Sequence, residues 1–456
     1  MTGAGLLAIA ERALAGAPGE TQVTVTQERS LLARFARSVP TQATAVEEVE
    51  VEVLCVRDGH TASATTNRLD ADALATTAAR AGAAVAALAT GGPGGYPGLP
   101  APAAVVRGHD GWDAETASMD PDRAGAALRA AFEVAERRGL EAHGVWSAGE
   151  VTTAVASSSG IRGVDAVTDV FMKAIARDAA GRAGCASAAG SAAREIDAAA
   201  LAQEAAAKVV AGAPVDLAAG EYPVVLDVAA VAVLLDFLGL LAFNGQAFAE
   251  GRSALSGRLG TRVAAPAVNL SDTPRFAGTL PRAFDAEGVP KAPIPLIQDG
   301  VAHRVVHDTR SAAAAGGSAR STGHALAAGG APGGPAPTNL VLVGGGAASI
   351  DELAEPIERG IYVTRLWYVN PVSEKDTLLT GMTRDGTFLI EDGRITRPLR
   401  DVRFTDSVLR ILGAVQALTD RPRLAGEGEF YGRRFATGVV CPALRAGGFR
   451  VTGATQ

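Results

Sequence analysis

Two histidines four residues apart, in the run His303-Arg304-Val305-Val306-His307, have the spacing at which a helix presents two imidazoles to one metal ion. The Asp299-Gly300 pair just before them is a hairpin signal, however, and Val305-Val306 favours a strand. On a strand the two rings would share a face but stand roughly 13 Å apart, too far for one ion. Two surface histidines are therefore expected, and His60, His109 and His143 are scattered. Cys55, Cys185 and Cys441 are isolated and odd in number, with no Cys-x-x-Cys pair. Neither a disulfide framework nor a Cys-rich zinc site is expected from them, and they fit a reducing cytoplasm. Cys441, beside Pro442, reads as a small buried hydrophobe on a strand. Ser256 lies in a Ser-Gly turn and His324 in Thr-Gly-His, but without a Gly-x-Ser-x-Gly elbow or a placed acid they make no triad. Ser256 reads as a turn residue, and His324 as lining a cleft or an interface. Arg365, Trp367, Tyr368 and Asn370 form the most conspicuous aromatic–polar cluster in a chain that is only 5% aromatic. That cluster is either a peptide-binding or subunit-facing surface, where Trp, Tyr and Arg concentrate, or a strand packed in a barrel with Trp367 inside.

The elements that must position these groups follow from pattern. With 456 residues, 48% hydrophobic and 20% charged, the chain is long enough for two or three domains with full cores. Net charge is −7 and no Lys/Arg block is dense enough to track a nucleic acid. The N-terminus lacks the basic region of a signal peptide. Leu6–Ala15 reads as a helix, Gln22–Thr26 and Leu31–Arg37 as two strands, and Val49, Val51 and Val53 alternate with Glu50 and Glu52 as a half-buried strand with one wet face. Asp58-Gly59 signals a hairpin into His60–Thr66, and Asp70 an N-cap for the helix Ala71–Leu88. Gly91–Gly108 is a loop, and Pro121 starts a helix to about Arg138. Strands Gly144–Ser147, Val151–Ser157 and Ala166–Ala176 and a helix Ile196–Val210 complete the first half. Val224–Phe243 is long and apolar enough to test as a membrane span. Asp236 near its centre would cost roughly 2.5–3.5 kcal/mol there, so a short strand, Tyr222–Leu226, and a core helix, Val228–Phe243, are expected instead. Asp299-Gly300, Asp385-Gly386 and Asp392-Gly393 read as hairpins, and Gly329–Pro337 as a flexible loop. Gly344-Gly345-Gly346 lacks the strand–helix context of a dinucleotide site. The expected fold is α+β: residues 1–218 form a helix-and-antiparallel-sheet domain, and residues 219–456 a larger β-rich domain, barrel- or sandwich-like.

Taken in order, several segments resemble the TldD/PmbA family of metallopeptidase-related proteins. They are Val51–Asp70, Gly251–Gly260 followed by Asp272-Thr273-Pro274, Pro295–Gly300, Ser321–Ala325, Pro337–Leu340 and Gly360–Gly393. Active members of that family carry His-Glu-x-x-x-His on a core helix and a cysteine near the C-terminus. Two imidazoles and a thiolate hold zinc with a fourth position open to water, and the glutamate takes the water's proton. Counted back from Ser253–Gly257, the three motif positions fall on Asp236, Phe237 and Leu241. Asp236 is a possible ligand, Phe237 is no base, Leu241 no ligand, and the position of the family cysteine, near Glu427–Tyr431, contains none.

The resemblance implies a zinc-less TldE/PmbA-like subunit in the cytoplasm, pairing with a TldD-like subunit that carries the zinc. No catalytic residue, metal ligand or cofactor is expected in this chain. The two would process unfolded or precursor peptides, natural-product precursors included. Asn244, Gln246, Ser256, His324, Asn339, Arg365, Trp367, Tyr368 and Asn370 are the candidates for the cleft or peptide path. The alternatives are a stand-alone remodelled enzyme of peptide maturation, using Asn244, Gln246, Ser256, His324 and Arg365, and a homodimeric peptide-binding scaffold. Neither a nucleic acid nor a membrane is an expected partner.

Overall fold

A computed structural model describes residues 1–426, 428 and 432–454. The first helix, α1 (Gly3–Ala15), leads into three antiparallel strands, β1 (Glu20–Ala36), β2 (Val39–Arg57) and β3 (His60–Thr66). Helices α2 (Ala71–Ala89), the one-turn α3 (Ala114–Ala117) and α4 (Pro121–Arg137) follow. Strands β4 (Glu141–Ser157), β5 (Arg162–Arg177) and β6 (Ala183–Gly190) and helix α5 (Ala198–Ala207) come next. The six strands make one antiparallel sheet in the order β3-β2-β1-β4-β5-β6, so β3 and β6 are its edges. Asp70 caps α2, its carboxylate accepting from the Ala73 amide, and Asp58-Gly59, both at positive φ, make the turn into β3.

Period-2 alternation sorts the sheet into two faces. Val23, Val25, Val51 and Val53 pack on α1 and α2, and farther along Phe35, Trp146 and Met172 pack on α4 and α5. The second face carries Thr24, Thr26, Glu50, Glu52 and Asp169. It meets the second half of the chain rather than bulk water: Arg433 reaches Glu50 at 2.9 Å. The expected wet face is thus the wall of an internal cleft.

Two expected pairs of strands merge. Gln27–Ser30 continues β1 in register with β2 on one side and β4 on the other, and Ala148–Glu150 likewise continues β4. Pairing on both edges satisfies the backbone whatever the side chains, so polar residues do not break the ladder.

The second half opens with β7 (Gly220–Leu226) and α6 (Val228–Ala242), which divide the long apolar run between them. Among the described residues no helix is long and apolar enough to cross a membrane. A six-stranded sheet runs Val301–Ala302, Ile294–Gln298, Leu270–Asp272, Leu340–Leu342, Gly438–Cys441, Arg423–Gly426. A nine-stranded mixed sheet begins at the edge strand Leu366–Ser373, includes β7 next to Arg359–Val363, and ends at Arg394–Pro398. Helix α6 is apolar almost all round because it is packed between these sheets, with Leu234, Leu235, Leu238 and Phe243 in one core with Phe404 and Phe449. Of the two expected forms, barrel and sandwich, the closed barrel is excluded: among the described residues both sheets have two free ends and neither closes. Trp367 accordingly sits on an edge strand and is 40% exposed. Asp392-Gly393 and Asp299-Gly300 are hairpins, but Asp385-Gly386 is not. The strand before it pairs with Val402–Ser407 and the strand after it with Arg359–Val363. A turn signal reports a chain reversal, not which edge the next strand finds.

Between the halves, the segment 432–438 lies across the polar face of the first sheet. Arg434, fully buried, donates from Nε and Nη2 to the two oxygens of Asp169 on β5 at 2.7 and 2.6 Å, and from Nη2 to Ser147 at 2.9 Å. Its backbone amide donates to Glu28 at 2.9 Å. Removing the guanidinium leaves a buried carboxylate uncompensated, so Arg434→Ala is expected to lower the unfolding free energy by about 3–5 kcal/mol. A denaturant titration measures this; a loss below about 1 kcal/mol would contradict a buried tie at this point.

Candidate functional site

Segment 432–438 divides the cleft in two. On its α6 side lies a cavity of about 330 Å³ lined by Lys173 of β5, Cys185 and Ser187 of β6, Asp236 of α6, and Arg365 and Trp367. A second space of about 280 Å³ continues along β6 to Lys208, Asp227 and Arg423. On the other side of the segment a cavity of about 390 Å³ is bounded by the polar face of β1, β2 and β4 and by Arg282, Asp285 and Arg433.

The α6 cavity is where a metal motif would act. Asp236 is exposed to it, Phe237 is half-buried, and Leu241 is buried in the core at 7%. One carboxylate beside a ring and a buried aliphatic chain does not make a zinc donor set. Cys441 is no substitute. It is fully buried on the strand Gly438–Cys441, its Sγ 3.5 Å from the Val228 carbonyl. Burial, then the charges of Asp236 and Asp227, pushes its thiol well above the usual range. The position of the family cysteine, Glu427–Tyr431, lies outside the described residues apart from Gly428. Among the described residues no three His, Cys, Asp or Glu side chains are grouped as metal ligands.

What holds α6 in place is a buried charge network at its start. Asp227 is the N-cap, accepting from the Val228 amide at 2.8 Å. Its other oxygen accepts from the Tyr362 hydroxyl at 2.7 Å and from Lys208 Nζ at 3.3 Å. Burial alone would raise Asp227, but Lys208, the Tyr362 hydrogen bond and Arg423 outweigh it and hold the carboxyl low. Lys208 also donates to the Cys185 carbonyl at 3.0 Å. Cys185 therefore turns its carbonyl away from β5, and by antiparallel alternation Ser187 and Ala189 present their backbone groups outward too. Edge strand β6 lies beside the edge strand Arg423–Gly426 without being ladder-bonded to it. The cavity thus opens along a strand edge.

The structure brings together only part of the expected set. Arg365 and Trp367 join Asp236 in the α6 cavity. Arg365 is paired with Asp385 at 2.7 Å, and the guanidiniums of Arg365 and Arg384 lie 5.1 and 5.0 Å from the Trp367 ring centre. A register slip between Trp367 and Asn370, with Tyr368 at φ 52°, turns Tyr368 outward to 73% exposure. Asn370, also exposed, donates to the Tyr368 carbonyl at 3.0 Å. Asn244 caps the helix Gly245–Ala249, accepting from the Gln246 and Ala247 amides, and donates to the Gly333 carbonyl at 2.6 Å. Gln246 bonds Glu250 at 3.0 Å, and the Ser256 hydroxyl lies 3.4 Å from the Phe248 carbonyl. These three serve local structure away from the α6 cavity.

His324 and Asn339 belong to a buried cluster around Asp272, which lies 3.1 Å from His324 Nε2 and 3.3 Å from Lys291 Nζ and accepts from the Asn339 amide at 2.8 Å. Burial, then the Lys291 charge, lowers His324, leaving a neutral imidazole at pH 7. The strand expected at 303–307 stops at Ala302, so His303 is exposed. His307 is half-buried instead of lying on the surface: a Cβ on Gly245 would come within 2.3 Å of its Nδ1. Lys173, Ser187, Lys208 and Arg423 carried no signal in the sequence, and Cys185 stood out there only as an isolated cysteine. Asp227 carried a usable sign, an Asp directly before an apolar helical run.

One wall of the 390 Å³ cavity is backed by two buried carboxyls. Glu287 accepts from the Tyr96 hydroxyl at 3.1 Å and the Thr309 amide at 3.0 Å, and Asp285 from the Ala325 amide at 2.9 Å. Burial raises both, and the neighbouring Asp285 charge helps push Glu287 up to about 8.

This is an α+β scaffold of the metallopeptidase type in which the helix expected to carry zinc supplies one possible ligand. The chain belongs to the PmbA/TldD family: residues 219–453 match the model described as the PmbA/TldA metallopeptidase C-terminal domain. It is 30% identical over 180 residues to a metalloprotease of Methanothermobacter thermautotrophicus and 27% identical over 235 residues to a metalloprotease TldD homolog of Haemophilus influenzae. These matches cover 38% and 50% of this chain, and the chain spans 37% and 47% of those relatives. The crystal structure of TldE from Thermococcus kodakarensis superposes with a TM-score of 0.84 over 99% of both chains at 19% identity, a likeness of fold.

A carboxyl raised on folding stabilises the protein below its unfolded value, and that contribution is lost as the pH rises through the folded value. Between about pH 5 and 8 wild type should therefore lose stability relative to Glu287→Gln by on the order of 1 kcal/mol per pH unit. Parallel denaturant titrations of the two proteins across this range test it; equal slopes would refute a protonated Glu287 in the fold.

Proposed function

We propose that this chain is the zinc-less, TldE/PmbA-like subunit of a two-subunit metallopeptidase, pairing with a TldD-like subunit that holds the zinc. The observation that carries this reading is the state of α6. The helix keeps its cap, its place between two sheets and the cavity at its side, while Phe237 and Leu241 provide neither base nor ligand. The likeness in fold to TldE of Thermococcus kodakarensis supports it.

In this role the chain forms part of the wall along which an extended peptide, unfolded or precursor, reaches the partner's zinc. The outward edge of β6 suits that task, because strand addition recognises backbone and tolerates varied side chains. The exposed Trp367 and Tyr368 on the edge strand Leu366–Ser373 offer the kind of aromatic anchors that partner-facing surfaces use. The proposed setting is the cytoplasm, with no cofactor of the chain's own.

The test is co-expression with a TldD-like protein from the same source, followed by metal analysis and peptidase assay. The expected result is one zinc per heterodimer and cleavage of an unfolded peptide by the pair, with neither zinc nor activity in this chain alone. One zinc per chain in the isolated protein, or peptidase activity without a partner, would overturn the proposal. Trp367→Ala combined with Tyr368→Ala should weaken the complex about tenfold or more, read by analytical ultracentrifugation.

A further inference from the structure

Among the described residues, the 390 Å³ cavity on the far side of segment 432–438 holds one cation with no carboxylate at ion-pair distance. Four basic residues line it, and three are paired: Arg433 with Glu50 at 2.9 Å, Arg434 with Asp169, and Lys291 with Asp272 at 3.3 Å. Arg282 is the exception, since no described carboxylate lies within salt-bridge distance of it. Its Nη2 donates to the Ala436 carbonyl at 2.8 Å and its guanidinium stacks on Phe435, 3.8 Å from the ring centre. Nε is enclosed without an acceptor, and Nη1 has none among the described residues. The nearest acids do not fill the role: Asp165 is engaged by His109 at 2.7 Å and by the Ala283 amide at 3.0 Å. Burial lowers the Arg282 guanidinium to about 10, although the charges of Asp165 and Asp169 pull the other way. Burying a guanidinium without a partner is costly, and an anion delivered to it recovers that cost.

We infer that this cavity is a binding site for a monocarboxylate with an apolar body, held by Arg282 and distinct from the α6 cavity. Size and lining set the class. A volume of about 390 Å³ lies at the lower end of ordinary ligand pockets, and Phe284, Leu326 and Phe435 give it apolar walls. Glu52, Asp165 and Asp285 share the lining and would repel a second negative charge, so phosphate and sulfate are disfavoured. A carboxylate can accept from Nη1, the terminal Arg282 nitrogen that is neither enclosed nor bonded among the described residues. The carboxylate belongs either to a free acid or to the C-terminus of a peptide.

The experiment is calorimetric titration of the full chain at pH 7 and low salt with N-acetyl-leucine, its amide, inorganic phosphate, and a leucine-ended tetrapeptide with a free or amidated C-terminus. N-acetyl-leucine should bind one to one, and its amide and phosphate at least tenfold more weakly. Arg282→Met should lose the binding at least tenfold, Arg282→Lys should keep part of it, and Lys173→Met, in the α6 cavity, should leave it unchanged. Thermal unfolding of Arg282→Met serves as the folding control. Removal of an unpaired buried charge predicts a melting temperature equal to or above wild type. Tighter binding of the free-ended tetrapeptide than of N-acetyl-leucine identifies a peptide end as the source, and the reverse identifies a free acid. Absence of saturable binding by every carboxylate, or binding unchanged in a folded Arg282→Met, overturns the inference. Neither result depends on a partner subunit or on zinc.

Discussion

The bidentate pair between Arg434 and Asp169 is the most deeply buried ion pair among the several ties that join the first sheet to the second half of this molecule. A guanidinium and a carboxylate are withdrawn from water there, which is tolerable because both carboxylate oxygens and Ser147 receive donors in good geometry. The pair draws segment 432–438 onto the polar face of the first sheet. With the segment seated, Arg433 falls on Glu50, Phe435 on Arg282, and the Arg434 amide on Glu28. The cleft then has two chambers rather than one, each with its own electrostatic character.

Much of this was visible in residue patterns, and the failures have physical causes. The Val–Glu alternation of β2 identified a two-faced strand, but alternation reports polarity and not what the polar side meets. Asp70 and Asp58-Gly59 were readable because capping and tight turns depend on local geometry. The merging of strands across Gln27–Ser30 was not, since one of its two partner strands lies more than a hundred residues away. The barrel expectation failed for a related reason: strand signals count strands but do not say whether the last one returns to the first. Asp385-Gly386 failed in the same way.

For the candidate site, residue types were easier to read from the sequence than the neighbours they would meet. Asp236, Phe237 and Leu241 could be located by spacing from Ser253–Gly257, and the residue types alone decide what donors are available. Arg365 and Trp367, noted as unusual residues, line the α6 cavity, whereas Asn244 caps a short helix and the Gln246 side chain bonds Glu250. Lys208 and Arg423 come from separate segments, so only tertiary packing could have shown them converging on Asp227.

That convergence has a consequence for how such a chain changes over generations. Helix α6 is fastened at its first residue by Asp227, Lys208 and Tyr362, and along its length by the apolar core. Leu241 belongs to that core and Phe237 packs against it, whereas the charged anchor lies at the other end of the helix. A scaffold so anchored can exchange polar residues for apolar ones at the second set, because the new side chains add to the core while the anchor stays. Selection acting on the cavity wall can then proceed independently of selection acting on the fold. Members of one family need such a separation if they are to diverge in chemistry while remaining alike in shape.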